Sequence, residues 1–223
     1  MNHVVVTGGT GALGAAVVEV LLARGVTVHL PIMEAALPAH LPWRDRVHAV
    51  PGVSLEREDD VAKFYAGLPA VWASIHLVGG FAMAPVTETS LADFEKQWRL
   101  NTATCFLACR EAVRRMGASG GRIVNVAARP AVTPTAGMIA YATAKAGVAA
   151  LTQALAAEVL SQGILVNAVL PSIIDSAANR AAMPKADHAS WPKPAQLAET
   201  IAFLASEQNA LTTGTLVPVY GRA

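Results

Sequence analysis

Short apolar runs alternate with longer helical patterns along nearly all of the 223 residues. This alternation is typical of strand–helix–strand crossover units, which build a parallel sheet covered by helices on both faces. The pattern predicts one doubly wound α/β (Rossmann) domain over residues 1–223, with about seven parallel strands. The predicted strands span 4–7, 26–30, 47–50, 71–78, 123–126, 164–170 and 216–219.

The helices are predicted from apolar spacing between these strands. A first helix over 12–24 has Val17, Val18, Leu21 and Leu22 as its buried stripe. Three prolines between 31 and 42 leave room for only a short second helix or none. Further helices are predicted over 56–67, 90–116 and 141–161, and a last helix ends near Ala205 after the proline-marked region 171–194.

Composition argues against several classes of partner. The net charge is +1 and only 15% of residues are charged, so there is no basic stripe for nucleic acid. Residues 64–87 are uncharged, but prolines and glycines interrupt them, and we interpret them as a helix end, a strand and a loop. We therefore expect a small-molecule substrate and neither nucleic acid nor membrane as a partner.

The two cysteines and the first residues bear on the compartment. Cys105 and Cys109 lie four residues apart in an apolar helical stretch, which favours a buried thiol pair over a disulfide or a metal site. No basic segment followed by a cleavable apolar segment precedes the first strand. We expect a cytoplasmic protein without a bound metal.

A glycine-rich turn, 7–14, lies between the first predicted strand and helix. Its glycines let the backbone approach a pyrophosphate while helix N–H groups face the negative charge. Such glycines also form ordinary tight turns, and the strand–turn–helix context is what favours a dinucleotide. The turn residues predicted to bind the cofactor are Gly8, Gly9, Gly11, Ala12, Leu13 and Gly14.

The end of the second strand leaves the cofactor's phosphate state open. An acidic residue normally follows this strand and holds the adenosine ribose. Here residues 28–32 read Val-His-Leu-Pro-Ile, with neither a carboxylate nor an arginine. His29 could contact a 2′-phosphate or be an ordinary strand residue.

Tyr141 and Lys145 form the most informative pair in the chain. Residues four apart share one face of a helix, so the ammonium can lie beside the phenol and lower its pKa. A tyrosine with a lowered pKa can exchange a proton near neutral pH. The pair predicts a nicotinamide oxidoreductase.

Further motifs occur in the order found in short-chain dehydrogenases/reductases, and the chain resembles this family over essentially its whole length. Asn101 lies in the predicted helix 90–116, and residues 167–172 are similar to the family's Asn-x-x-x-Pro-Gly, with Ser172 in place of glycine. The resemblance implies an NAD(P)H-dependent oxidoreductase in which Tyr141 is the acid, Lys145 holds the nicotinamide ribose and Asn101 binds a water. It also implies cofactor contacts from Val78, Gly79, Asn101, Tyr141, Lys145, Pro171, Ser172, Ile173 and Ser176.

The same resemblance bears on assembly. Family members commonly pair the helices that correspond to 90–116 and 141–161 across a twofold axis, which implies a homodimer or homotetramer. The alternative is that both helices are simply buried against the sheet.

One position departs from the family pattern. The substrate-orienting serine of the family lies 13 residues before the tyrosine, and this chain has Ala128 there. Losing such a hydrogen-bond donor raises a carbonyl-reduction barrier by roughly 2.7–4 kcal/mol. Thr133 or Thr135 could replace the donor, the substrate could differ, or activity could be absent.

A narrower resemblance, to the dihydropteridine reductase branch, favours a different substrate. That branch also has alanine at the serine position, and residues 135–141 look like its Thr-Pro-Gly-Met-Ile-Gly-Tyr run. The region 175–191 is similar to its loop after strand six, and Trp191 there could close over the site or fill the core. The chain departs from the branch at Ile32, where that branch has aspartate, and at Asn101, where it has serine.

Three hypotheses follow. The preferred one is an NAD(P)H-dependent reductase of quinonoid dihydropterins or related conjugated compounds. The second is a carbonyl or alcohol oxidoreductase that uses Thr133 or Thr135 as the replacement donor. The third is a dinucleotide-binding sensor without turnover.

Overall fold

Seven parallel strands form a single sheet in the computed structural model, which describes residues 2–222. Their spatial order is β3-β2-β1-β4-β5-β6-β7, so the chain builds outward from β1 first in one direction and then in the other. The predicted doubly wound α/β fold is confirmed. The strands are β1 His3–Thr7, β2 Thr27–Pro31, β3 His48–Val50, β4 Ala73–His76, β5 Gly121–Val126, β6 Ile164–Pro171 and β7 Leu216–Val219.

Helices follow most of the strands, and the region after β2 is the exception. Between β2 and β3 only one 3₁₀ turn forms, Arg44–Arg46, which confirms the prediction that the second helix is short or missing. The helices are α1 Ala12–Ala23, α2 Glu58–Ala66, α3 Leu91–Trp98, α4 Thr104–Met116, α5 Ile139–Val159, α6 Ala177–Ala182 and α7 Pro194–Leu204.

The core has two halves because successive strand residues point to opposite faces of the sheet. Val4 and Val6 of β1 pack with α1 and α7 on one face, and Val5 packs with α2, α4 and α5 on the other. The predicted stripe of α1 is largely confirmed: Val17, Val18 and Leu21 are buried, and Leu22 is half-buried.

Several predicted boundaries are wrong. The predicted helix 90–116 is divided by a π-helical segment, Arg99–Ala103, into α3 and α4. The helix of Tyr141 begins two residues earlier, at Ile139, and the proline-marked region 171–194 contains the short helix α6. β4 ends at His76 and not at 78. Val78 lies instead against Gly8 of the first turn, so the chain has already left the strand there.

The β1–α1 turn depends on close contact between backbone segments. Gly8 has φ +70, and a Cβ on Gly14 would lie 2.0 Å from the Gly8 carbonyl oxygen. Only glycine allows α1 to start this close to the end of β1.

Three histidines lie side by side across β1, β2 and β3. His29 is 6% exposed, its Nε2 lies 2.9 Å from His3 Nδ1, and its ring stacks on that of His48. Burial, followed by the charges of His48 and His3, lowers the pKa of His29 to about 4.

Among residues 2–222, no helix combines the length and the apolar character needed to cross a bilayer. The uncharged stretch 64–87 forms the end of α2, then β4, then a loop, as predicted.

We predict that Gly14→Ala lowers the free energy of unfolding by about 1–3 kcal/mol, because the added methyl overlaps backbone atoms that cannot move independently. Gly11→Ala is the matched control, since its Cβ would meet Gly8 O at an ordinary 3.5 Å and its φ is −75. Urea unfolding measures both variants. Equal stability of the two would contradict the close contact.

We predict that His29 makes stability fall as the pH drops from about 6.5 to about 4. The unfolded imidazole binds a proton in this window and the folded one does not, so acid favours unfolding, by about 3 kcal/mol at most. Urea unfolding across this range should show a smaller loss for His29→Gln than for the wild type. His40→Gln, at an exposed position, should keep the wild-type loss; an identical pH profile for wild type and His29→Gln would exclude this role.

Candidate active site

The candidate site lies at the carboxyl ends of β1 and β4, where the strand order reverses. In open parallel sheets, ligands bind in the crevice that such a reversal opens. Here a cavity of about 240 Å³ runs between the β1–α1 turn and the segments that follow β2 and β4. Its walls include Gly8, Thr10, Ile32, Glu34, Val78 and Leu100.

The glycine-rich turn borders this cavity through Gly8 and Thr10 and leads into the N-terminus of α1. Gly11 is the N-cap of α1 and provides no side-chain cap, and the first turn contains no acidic residue. The first N–H groups of α1 are therefore free of side-chain acceptors, which suits a phosphate at the positive end of the helix dipole. This arrangement fits a dinucleotide, and the individual contacts predicted for residues 8–14 remain predictions.

Asn101 and Lys145 converge on Gly79, just past β4. A Cβ on Gly79 would lie 2.6 Å from Asn101 Oδ1 and 3.0 Å from Lys145 Nζ. Lys145 Nζ also donates to the Val126 carbonyl at 2.8 Å, which anchors the side chain at the end of β5. The structure thus brings these two residues together at the sheet edge, and the roles that the family resemblance implies for them remain predictions.

The π-helical segment positions Asn101. Asn101 is buried, its Nδ2 donates to Gln97 O at 2.9 Å and to Gly80 O at 3.1 Å, and its Oδ1 accepts from Gly80 N at 3.2 Å. The amide therefore ties the helix to the loop after β4. Single-turn π segments recur at functional sites because they redirect side chains within a helix.

The prediction that Lys145 lowers the pKa of Tyr141 is wrong, because the pKa is raised. Burial raises the pKa of Tyr141 to about 12, and burial lowers the pKa of Lys145 to about 8. The loss of hydration on burial is therefore the cause of the raised Tyr141 pKa.

An aromatic side chain that the sequence interpretation missed lies beside Tyr141. Phe81 is 60% exposed, and its ring meets the Tyr141 ring edge-on with centroids 5.0 Å apart. Met83, two residues on, is also exposed and lies near Gly137 in the loop before α5. The sequence signal that could have identified them was position, because both residues lie in the loop that follows β4 at the reversal point.

A second missed residue is Glu34, which borders the cavity beyond β2. Ile32, at the position where a carboxylate was sought, is buried in the core. His29, considered as a possible contact for a 2′-phosphate, is an interior residue bonded to His3.

Ala128, at the serine position of the family, differs in burial from the two threonines that could replace the missing donor. Ala128 is buried after β5, whereas Thr133 and Thr135 are exposed in the loop that leads to α5.

Residues after β6 are held by their own neighbours. The Ser172 hydroxyl donates to Tyr220 O at 2.7 Å, and Ser176 caps α6 by accepting from Asn179 N at 3.2 Å. Pro171 ends β6, and Ile173 follows it with its side chain partly exposed. Trp191 is buried beside His188, with ring centroids 4.6 Å apart.

Comparison with known proteins identifies the family. Residues 2–187 match the family model described as short chain dehydrogenase. The cis-4-hydroxycyclohexanecarboxylate dehydrogenase of Sinomonas cyclohexanicum is 32% identical over 97% of this chain and 94% of that protein. The D-threitol dehydrogenase of Mycolicibacterium smegmatis is 28% identical over 97% of this chain and 90% of that protein.

A solved structure of an oxidoreductase has a similar fold. An NADPH-bound short chain oxidoreductase of Pseudomonas aeruginosa PAO1, described as containing an atypical catalytic center, is 25% identical with a TM-score of 0.87. The match covers 99% of this chain and 95% of that one. The narrower resemblance to dihydropteridine reductases remains a prediction. The chain belongs to the short-chain dehydrogenase/reductase family and is an NAD(P)-dependent oxidoreductase.

Proposed function

We propose that this enzyme reduces a planar, conjugated cyclic substrate of the quinonoid dihydropterin class, with Tyr141 as the proton donor. The observation that carries the proposal is the exposed Phe81 ring set edge-on against Tyr141. An exposed aromatic beside the proton donor offers a surface for a flat ring to stack on. Trp191, the other aromatic considered for this task, is buried.

Ala128 supports the same class of substrate. A simple ketone develops full negative charge on one oxygen during reduction, which a hydroxyl donor would stabilise. A quinonoid ring system spreads the incoming charge over conjugated nitrogens, so the missing donor matters less. When bound, the nicotinamide supplies the hydride. Tyr141 supplies the proton, and Lys145 and Asn101 orient the site around Gly79.

A second candidate is a carbonyl or alcohol oxidoreductase, which the names of the two dehydrogenase relatives favour. In that case Thr133 or Thr135 replaces the missing donor, since both lie in the loop between Ala128 and Tyr141. The sensor hypothesis is not carried further, because the chain belongs to a family of oxidoreductases.

The proposed assembly is a homodimer or homotetramer through α3, α4 and α5. Trp98, Phe106 and Ile139 leave large apolar surface exposed along these helices. Exposed apolar surface of this kind supports a protein interface.

We predict that quinonoid dihydropterin is turned over with NADH or NADPH, and that Tyr141→Phe lowers kcat by about 10²–10⁴-fold, because the acid is lost. Fluorescence titration with NADH and NADPH would check that the variant still binds the cofactor. Steady-state assays with a panel of cyclic ketones run in parallel.

Further variants separate the candidates. Phe81→Ala should raise KM for the pterin, while Leu91→Ala, exposed on α3, should not. Ketone turnover without pterin turnover, lost in Thr133→Val or Thr135→Val, would establish the second candidate in place of the first. Full pterin activity in Tyr141→Phe would refute the proposed role of the phenol.

We also predict a preference for NADH over NADPH. Glu34 and Glu56 border the cavity beyond β2, and its described lining contains neither lysine nor arginine. A 2′-phosphate placed there would meet like charge, worth about 1 kcal/mol at an exposed site, or roughly fivefold in Kd. Glu34→Gln should reduce the Kd ratio of NADPH to NADH. Glu19→Gln, an exposed residue of α1 outside the cavity, is the control; tighter NADPH binding by the wild type would reverse this conclusion.

A further inference from the structure

A cluster of metal-binding side chains lies in the core, on β4 and α4. Cys105 and Cys109 lie one helical turn apart on α4, and His76 projects from β4 towards them. One ligand atom from each of the three residues lies within 4.8 Å of the other two. All three residues are buried, and both sulfurs are free thiols.

A neighbouring amide oxygen completes a four-atom set. Cys109 Sγ lies 3.4 Å from His76 Nδ1 and 3.5 Å from Asn125 Oδ1, and the latter two atoms lie 2.8 Å apart. In a tetrahedral zinc site with Zn–S of about 2.3 Å and Zn–N of about 2.0 Å, the ligand atoms are separated by about 3.5 Å. The two distances from Cys109 Sγ already match this separation. The third, between His76 Nδ1 and Asn125 Oδ1, is shorter because these two atoms form a hydrogen bond.

The hydrogen-bond network shows where the imidazole proton resides. The Thr152 hydroxyl donates its proton to the Val148 carbonyl, so its oxygen accepts a hydrogen bond from Asn125 Nδ2. Asn125 Oδ1 then faces His76. Because this oxygen can only accept, His76 Nδ1 must carry a proton. His76 Nε2 then accepts from Ser74. The bonds in order are Tyr65 to Ser74 at 2.7 Å, Ser74 to His76 at 2.8 Å, His76 to Asn125 at 2.8 Å, Asn125 to Thr152 at 2.9 Å and Thr152 to Val148 O at 2.8 Å.

We propose that His76, Cys105 and Cys109, with Asn125 Oδ1 as the fourth ligand, bind a thiophilic divalent cation of the Zn²⁺ class. Two thiolates balance the charge of the ion, and the sulfur and imidazole donors select against Mg²⁺ and Ca²⁺. Binding releases the two thiol protons to solvent, and no electron is transferred. The imidazole keeps its proton but moves it from Nδ1 to Nε2.

The surroundings can accept this shifted proton. Metal-binding histidines usually donate their second ring N–H to an oxygen. Ser74 Oγ already lies 2.8 Å from Nε2, and a hydroxyl can accept as well as donate. The polar neighbour that such a histidine requires is therefore in place.

Co²⁺ serves as the spectroscopic probe for the test. Metal-free protein is titrated with Co²⁺ after long incubation, because the ligands are buried and loading requires local opening. We expect thiolate-to-cobalt charge-transfer absorption that saturates at one equivalent, with about two protons released per ion. Since the chain contains two cysteines in all, such a band can arise from no other thiolate.

Zn²⁺ should displace Co²⁺, abolish the band and raise Tm by roughly 5–10 °C at about 100 times its Kd. Cys105→Ala and Cys109→Ala should each lose the one-equivalent band and the shift in Tm. His29→Gln is the matched control, because His3 and His29 also place two ring nitrogens 2.9 Å apart. Absence of the band in the wild type, or an ion whose binding depends on His29 and survives both cysteine substitutions, would overturn the proposal.

Discussion

Close contact between backbone and side chains at the carboxyl edge of the sheet is the constraint on which the site depends. A Cβ on Gly8 would lie 3.1 Å from Val78 N, one on Gly14 would overlap Gly8 O, and one on Gly79 would overlap Asn101 Oδ1. Because these glycines have no side chains, the first crossover, the end of β4 and the segment of Asn101 can approach one another closely. No packing of larger residues could place these elements at the same distances, because each overlap involves atoms that the fold holds in place.

A buried series of hydrogen-bonded side chains lies beneath this edge of the sheet. It links Tyr65 on α2 to Thr152 on α5 through β4 and β5, and every member has a partner. Asn125 in this series is followed by Val126, whose carbonyl accepts from Lys145. Because a buried polar group without a partner costs about 1–3 kcal/mol, removing one member would strand its neighbours. The series thus holds β4, β5 and α5 in register beneath the candidate catalytic side chains.

The order of the elements and the position of the Tyr141–Lys145 pair could be predicted, because both depend on local spacing. Periodicity distinguishes strands from helices, and a spacing of four defines a shared helix face. Periodicity does not report which residues of different elements meet. His76 is separated by 29 positions from Cys105, and the contact between them exists because β4 lies beneath α4.

Because the predictions relied on local spacing, they also missed three other features of the site. The π segment at Arg99–Ala103 lies within an uninterrupted helical pattern, so no proline or glycine marked the break. Glu34 lies two residues beyond Ile32, and only the path of the loop after β2 brings it to the cavity. The Tyr141 pKa was misjudged for a related reason: the sequence reports a nearby charge but not the depth of burial.

Desolvation sets the resting protonation state of the pair proposed to transfer the proton. With Tyr141 near pKa 12 and Lys145 near 8, the phenol keeps its proton and most of the lysine keeps its charge at pH 7. The pair is therefore already in the state required of a proton donor. Forming the phenolate at pH 7 would require about 7 kcal/mol. Proton donation in reduction leaves the phenolate and alcohol oxidation starts from it, so in either direction a positive charge near Tyr141 would lower this cost.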